Sequence, residues 1–289
     1  MYQLIEANWA IVLGAIDNYH VTEYDWLIAN LPVVNVSLNK QYQMRYAKYW
    51  GLSPVFVNNG WLANYFLELE AAKTAVPAPV CNTICRTLYG TPSTSKSACA
   101  LQYSFCSKIV HMVRQNDPIF DSRVETFYFF FRPASSTPLE QRIIRHDAFM
   151  TFLRCEYQRV IRNGLLRQAI ANFRARFHPV NFTDEKIIDS LIWAWIKVSK
   201  RRQRIPAPRP YVINPLGVAI PVCGPVGATT IREGNSYFRK LMKRIEDLIA
   251  KGIPIREIVI RFGSSGVSIP KWFEDWCKVK NVTISAGSL

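Results

Sequence analysis

The sequence predicts a mainly α fold with a smaller α+β or helix-turn-helix-like C-terminal domain. Three observations carry that expectation. Apolar side chains recur at the helical period through most of the first 200 residues, proline and glycine punctuate the pattern, and the composition changes after a basic, proline-rich stretch. With 289 residues, 49% of them hydrophobic, and 8 Trp, 13 Tyr and 16 Phe, a sizeable core is available and disorder is not expected over most of the chain. The organisation read from these features is a helical domain at 1–200, a linker at 201–210 and a small basic domain at 211–289.

Taken in order, the first forty residues predict a short helix and then an extended lead-in, because Pro32 is followed by the β-branched Val33, Val34 and Val36. Residues 40–50 place Tyr42, Tyr46 and Tyr49/Trp50 on one helical face, and 60–73 repeat the pattern with Trp61, Leu62, Tyr65, Phe66 and Leu69. Pro77, Pro79, Gly90 and Pro92 make 76–97 a loop and a turn feeding the next helix near Ser97. An apolar helix with Lys108, Ile109, Val110 and Met112 then runs into Asn116, Asp117 and Pro118, where proline forbids continuation. Asp121 stands where a new helix should begin, followed by a stripe of Val124, Phe127, Tyr128 and Phe131.

After a break at 133–138, a long helix should turn Phe149, Phe152, Leu153, Tyr157, Val160 and Ile161 inward, with Arg154, Arg159 and Arg162 outward. Gly164 ends it. The next stripe, Leu166, Ile170, Phe173 and Phe177, carries Arg167, Arg174 and Arg176. Thr183 should cap a helix whose first turn holds Asp184 and Glu185, with Ile188, Leu191, Ile192, Trp195 and Ile196 buried. Residues 211–226 suggest strand fragments, and 235–251 an amphipathic helix. Residues 252–285 fit either a helix-turn-helix or a strand, Gly-Ser turn, helix and strand; β-branched content favours the second.

The net charge of +15 is unevenly spread. Residues 1–100 hold 6 Lys/Arg against 6 Asp/Glu, 101–204 hold 18 against 9, and 205–289 hold 12 against 6. A basic field over two-thirds of the chain points to a polyanion, most often nucleic acid. The longest apolar run, 9–16, is too short to span a bilayer and lacks the flanks of a signal peptide, so a soluble cytoplasmic protein without a membrane partner is expected. Seven cysteines, an odd number without zinc spacing, read as reduced thiols, and no metal is expected. Glycine-rich nucleotide loops, the phosphate-loop lysine motif and the His-Glu-x-x-His zinc motif are all missing, and no cofactor is expected.

The chemistry left is that of a carboxylate at a helix start in an arginine-rich helical protein. The run Pro118, Ile119, Phe120, Asp121, Ser122, Arg123, Val124, with Ser107, Lys108, Ile109 and His111 before it and IIDSLIWAW later, resembles the helix-hairpin-helix DNA glycosylase superfamily. The likeness is greatest to the bacterial branch with an 8-oxoguanine-glycosylase-like fold, and it covers roughly residues 40–200. The family's hairpin reads Leu-Pro-Gly-Val-Gly, whereas residues 94–105 contain no glycine. The lysine of bifunctional members, counted back from Asp121, falls near Gln102.

The resemblance implies hydrolytic, monofunctional removal of a modified base that is flipped out of double-stranded DNA, leaving an abasic site. Asp121 and Lys108 are the candidate catalytic residues. Lys96, Ser97, Ser107, Arg123, Arg154, Arg162, Arg201 and Arg202 are the candidate DNA-binding residues, and Asp189 and Trp193 the candidate base pocket. Physical chemistry gives Asp121 an independent rationale: glycosidic cleavage passes through an oxocarbenium-like sugar that a fixed negative charge stabilises, once the base has left the stack. The plainer reading of Asp121 is a helix N-cap, and the two roles are compatible. Rival functions are a non-catalytic, sequence-specific DNA-binding protein with a C-terminal helix-turn-helix, and a module whose basic face binds an acidic protein or RNA.

Overall fold

A computed structural model describes residues 1–52, 57–93, 99–202, 218–222, 231–250, 255–261 and 269–287; side chains of 200–202, 218–222, 231–234, 255–261 and 285–287 lie outside the description. Thirteen helices and three short strands make up the described elements, a mainly α chain. By internal packing it divides into two compact units. The first comprises Met1–Ala15, Ser122–Asn172 and Ser190–Leu289, the second Ile16–Asp121 and Phe173–Asp189.

The second unit holds α3 (Asn18–Asn30), α4 (Lys40–Trp50), α5 (Asn59–Ala72), α6 (Cys81–Tyr89) and α7 (Tyr103–Val113). Asp17, Asn39 and Asn58 cap the first three by accepting a backbone N–H of the first turn, which supplies orphan donors with partners. Tyr24, Tyr42, Tyr46, Trp61 and Tyr65 are fully buried, and the Tyr46 and Tyr65 hydroxyls meet at 2.8 Å. Where an extended lead-in was expected, residues 31–38 form turns, and the preceding helical segment is three helices rather than one: α1 (Tyr2–Ala7), α2 (Trp9–Gly14) and α3. Val33 is 75% exposed, so its β-branch has no sheet to join.

Helix α6 is a second correction, lying where a loop was expected. Its Cys81, Ile84, Cys85 and Leu88, spaced i, i+3, i+4 and i+7, are all buried. The prolines at 77 and 79 precede the helix and so do not interrupt it. α6 packs against α7, and α5 against both. Three buried thiols, of Cys81, Cys85 and Cys106, lie between α6 and α7, with Cys81 Sγ 4.0 Å from Cys85 Sγ.

The first unit contains α1, α2, α8 (Ser122–Phe127) and α9 (Leu139–Arg162). The expected stripe after Asp121 is cut short: α8 ends at Phe127, and Phe129 takes a positive φ of 57°. Val124, Phe127 and Tyr128 are buried, whereas Phe131 lies beyond the helix with the Lys240 ammonium 3.9 Å from its ring centroid. Along α9, Phe149, Phe152, Leu153, Tyr157 and Val160 are buried as expected. Arg159 is not a free outward arginine. Its guanidinium makes two hydrogen bonds, of 2.6 and 2.8 Å, to Glu156, which is 2% exposed and also accepts from the Tyr2 hydroxyl.

Two helices run through both stretches of chain, α10 (Arg167–Phe177) and α11 (Asp184–Arg202). Gly164, at φ 59°, permits the reversal between α9 and α10. Thr183 caps α11 by accepting the Lys186 N–H at 3.2 Å. The C-terminal stretch is β1 (Val218–Val222), α12 (Ile231–Ala250), β2 (Ile255–Arg261), α13 (Lys271–Val279) and β3 (Thr283–Gly287). The strands form one parallel sheet in the order β1-β2-β3, with α12 against β2 and α13 against β3. Strand β2 occupies the place of the first helix of a helix-turn-helix, so that version is corrected: the β-branched run Ile258, Val259 and Ile260 in IREIVIR outweighs the helical spacing. Among the described residues no helix is long and apolar enough to cross a membrane.

Candidate active site in the second unit

One polar cluster in the second unit is buried among aromatic rings. Lys108, on α7, is 5% exposed and its Nζ lies 4.6 Å from the Phe105 ring centroid and 5.6 Å from that of Trp50. It donates to Ser104 Oγ at 3.2 Å. Burial lowers the Lys108 ammonium to a pKa of about 8, opposed by the negative charges of Asp121 and then Asp189. Lys186, 1% exposed on the first turn of α11, forms a 3.1 Å ion pair with Asp189 Oδ2 and lies 5.2 Å from the ring centroids of both Tyr24 and Trp50.

Asp189 is itself 8% exposed, and burial raises its pKa; Lys186 opposes the shift and the Asp121 charge reinforces it. Its Oδ1 and the Trp50 Nε1 are buried without a hydrogen-bond partner among the described residues. Asp121 is half-buried and occupies the position before the first residue of α8. Thus two lysines and two aspartates share one low-dielectric neighbourhood, where charges act on one another more strongly than in water.

The segment that delivers Asp121 is sutured to one face of α7. Ser104 Oγ donates to the Phe120 carbonyl at 2.9 Å, and the Phe120 N–H donates to Ser107 Oγ at 3.0 Å. Ser107 in turn donates to the Ser104 carbonyl at 2.9 Å. One turn further, His111 Nδ1 lies 2.7 Å from the Asp117 carbonyl, so this nitrogen carries the proton, and Nε2 accepts from the Tyr24 hydroxyl at 2.8 Å. Arg114 pairs with the Asp117 carboxylate at 2.5 Å. Helical spacing puts residues 104, 107, 108 and 111 on one face, which is why polar side chains there can hold the 117–120 segment.

Burial and then the Lys186 charge lower His111 to a pKa of about 3, and in the first unit burial lowers His146 to about 4. Because the unfolded chain binds a proton near 6.5 and the native imidazoles do not, stability is complete above that value and falls with pH toward the native pKa. His111 alone should cost on the order of 4 kcal/mol by about pH 3.5. Urea midpoints measured from pH 7 to 4 should decline for the native chain, with a shallower decline for His111→Gln.

The sequence-derived residues fare differently. Lys108, Asp121 and Asp189 come together in this unit, with Lys186, Tyr24 and Trp50 as members that sequence reasoning missed. Ser107, assigned to a DNA backbone, is 1% exposed and its hydroxyl is committed inside the protein, so its part is structural. Lys96 and Ser97 lie outside the described residues. Trp193 belongs to the first unit, where it is half-buried with the Arg123 guanidinium carbon 3.7 Å and Lys197 Nζ 5.1 Å from its ring centroid. Arg154 and Arg162 are exposed on α9, and Arg201 and Arg202 end α11 with side chains outside the description.

Comparisons of the chain with protein-family models, curated proteins and solved structures find no match. The functional reading therefore rests on residues and geometry.

Proposed function

We propose that this chain is a DNA glycosylase that hydrolyses the N-glycosidic bond of a modified base flipped from double-stranded DNA. The observation that carries the proposal is a half-buried carboxylate, Asp121, whose charge acts on a buried lysine, Lys108, itself hydrogen-bonded to the serine that holds the Phe120 carbonyl. Asp121 stabilises positive charge developing on the sugar and orients water toward C1′. Water adds to C1′, the C1′–N bond breaks with its electron pair on the base, and the water proton passes to the departing base or solvent. Lys108 places positive charge beside the carboxylate, in a low-dielectric setting where the two act on one another strongly, and near the DNA. Asp189 Oδ1 and Trp50 Nε1, an acceptor and a donor, are the atoms an entering base edge would satisfy.

Within the first unit, exposed Arg154 and Arg162, and Arg123 over the Trp193 ring, are cationic and aromatic groups of the kind that hold backbone and unstacked bases. Arg201 and Arg202 extend the same basic stretch of sequence. Helix-hairpin-helix-like architecture for the helical part belongs to this proposal, as does the choice of target: an oxidised or alkylated base in repair, or a bulky hypermodified base of phage DNA in antiviral defence.

The test is incubation with duplexes carrying different modified bases, phage genomes included, with released base identified by mass. Base release, and DNA affinity that falls steeply with added salt, are expected. Site-specific binding without base release from any DNA would replace this reading with a DNA-binding protein, although its helix-turn-helix reader is lost to β2. Weak salt dependence would favour an acidic protein partner.

A further inference from the structure

Resting on the reading above, we propose that Ser104 is a positioning residue that holds the Lys108 ammonium and the backbone beside Asp121 in one hydrogen-bonded chain. Its hydroxyl is used twice. It accepts from Lys108 Nζ at 3.2 Å and donates to the Phe120 carbonyl at 2.9 Å, which is the peptide group joining Phe120 to Asp121. The other side of Phe120 is fixed by Ser107, so the position of the aspartate is set by two α7 hydroxyls one turn apart. A serine hydroxyl has one proton and two lone pairs, which suits it to receive from an ammonium while giving to a carbonyl.

The alternative, that Ser104 merely ties α7 to the segment that follows it, leaves the Lys108 contact unexplained. Removing the hydroxyl takes away an acceptor that favours charged Lys108 and lets the Phe120–Asp121 peptide tilt, weakening the carboxylate's support of the same charge. Both changes push Lys108 in one direction, toward the neutral amine. The titratable groups acting on Lys108 are Asp121, Asp189, Lys186 and Cys106, and Ser104→Ala alters none of them chemically. Ser104 is half-buried, which favours survival of the fold in this variant.

The decisive experiment uses the full chain and two readouts. Lys108 is followed by NMR after reductive ¹³C-methylation, its signal assigned with Lys108→Met, and base release is timed in single turnover on the DNA that supports it. Ser104→Ala should lower the Lys108 midpoint, as should Asp121→Asn, with the double variant shifting less than the sum of the two. Base release should fall about tenfold in the saturating single-turnover rate, with the DNA concentration at half-saturation unchanged, and Ser104→Thr, which keeps the hydroxyl, should restore both the rate and the Lys108 midpoint. An unchanged Lys108 midpoint in Ser104→Ala, or strict additivity with Asp121→Asn, overturns the inference even if the melting temperature drops. A shifted midpoint without base release from any DNA upholds the coupling and defeats the glycosylase reading instead.

Discussion

Under the proposed glycosylase reading, Asp121→Asn is expected to slow base release roughly 100- to 1,000-fold while the chain stays folded. The magnitude is that of removing one fixed electrostatic partner of a transition state. Asparagine keeps the shape and the capacity to cap α8, so a purely structural Asp121 would tolerate the change. Its loss of charge should be visible locally as well. Lys108 loses its leading source of electrostatic support, and Asp189 loses a repulsive neighbour. Rapid-quench measurement of free base gives the rate, and circular dichroism checks the helix content. A variant with native helix content and an undiminished rate would assign Asp121 to capping alone.

The second large effect is on stability. Lys186→Met strips Asp189 of its ion-pair partner while both positions stay buried, at 1% and 8% exposure. Breaking one side of a buried pair is costly because the surviving charge keeps its desolvation penalty, so a loss of about 3–5 kcal/mol is expected. Adding Asp189→Leu removes the stranded carboxylate and should recover most of that loss. The pH dependence has a definite sign. With its pKa raised further above the unfolded 3.8, Asp189 binds protons more readily in the native chain, so the penalty relative to the native sequence shrinks as pH falls toward 3.8. Urea unfolding of the single and double variants at pH 7 and 5 measures both statements.

Much of the helical framework was legible because large aromatics announce a buried face. The spacing of Tyr42 and Tyr46 gave α4 its bounds, and Trp61, Tyr65, Phe66 and Leu69 gave α5 to within a residue. Helix α6 was hidden by small, weakly hydrophobic cysteines doing the work of leucines between flanking prolines and glycine. Phe131 misled in the other direction, since an uninterrupted apolar period says nothing about a residue such as Phe129 that leaves helical geometry.

At the site, Asp121 was legible from Pro118 and the stripe that follows, and Lys108 from its place on an apolar helix. The count that put the family lysine near Gln102 reached the start of α7; Lys108 lies further along the same helix and in the field of Asp121. Ser104 and His111 were not legible as partners of the 117–120 segment, because their acceptors are backbone carbonyls that no composition signals. Lys186 was passed over because a lysine in the first turn of a polar-looking helix is ordinarily solvated. Only the positions of Tyr24 and Trp50 beside it reveal that it is enclosed.

Helix α1 lies against β1 within the first unit, although more than two hundred residues of chain separate them. The opening helix and the parallel sheet near the end of the sequence are therefore neighbours in one packed body. Deleting everything after the proline-rich stretch would bare the flank of the helix that anchors Tyr2, whose hydroxyl sits 2.6 Å from that of Tyr128 and 3.0 Å from Glu156. A shortened version made to simplify biochemistry would thus disturb a buried hydroxyl–carboxylate network at the opposite end of the polypeptide.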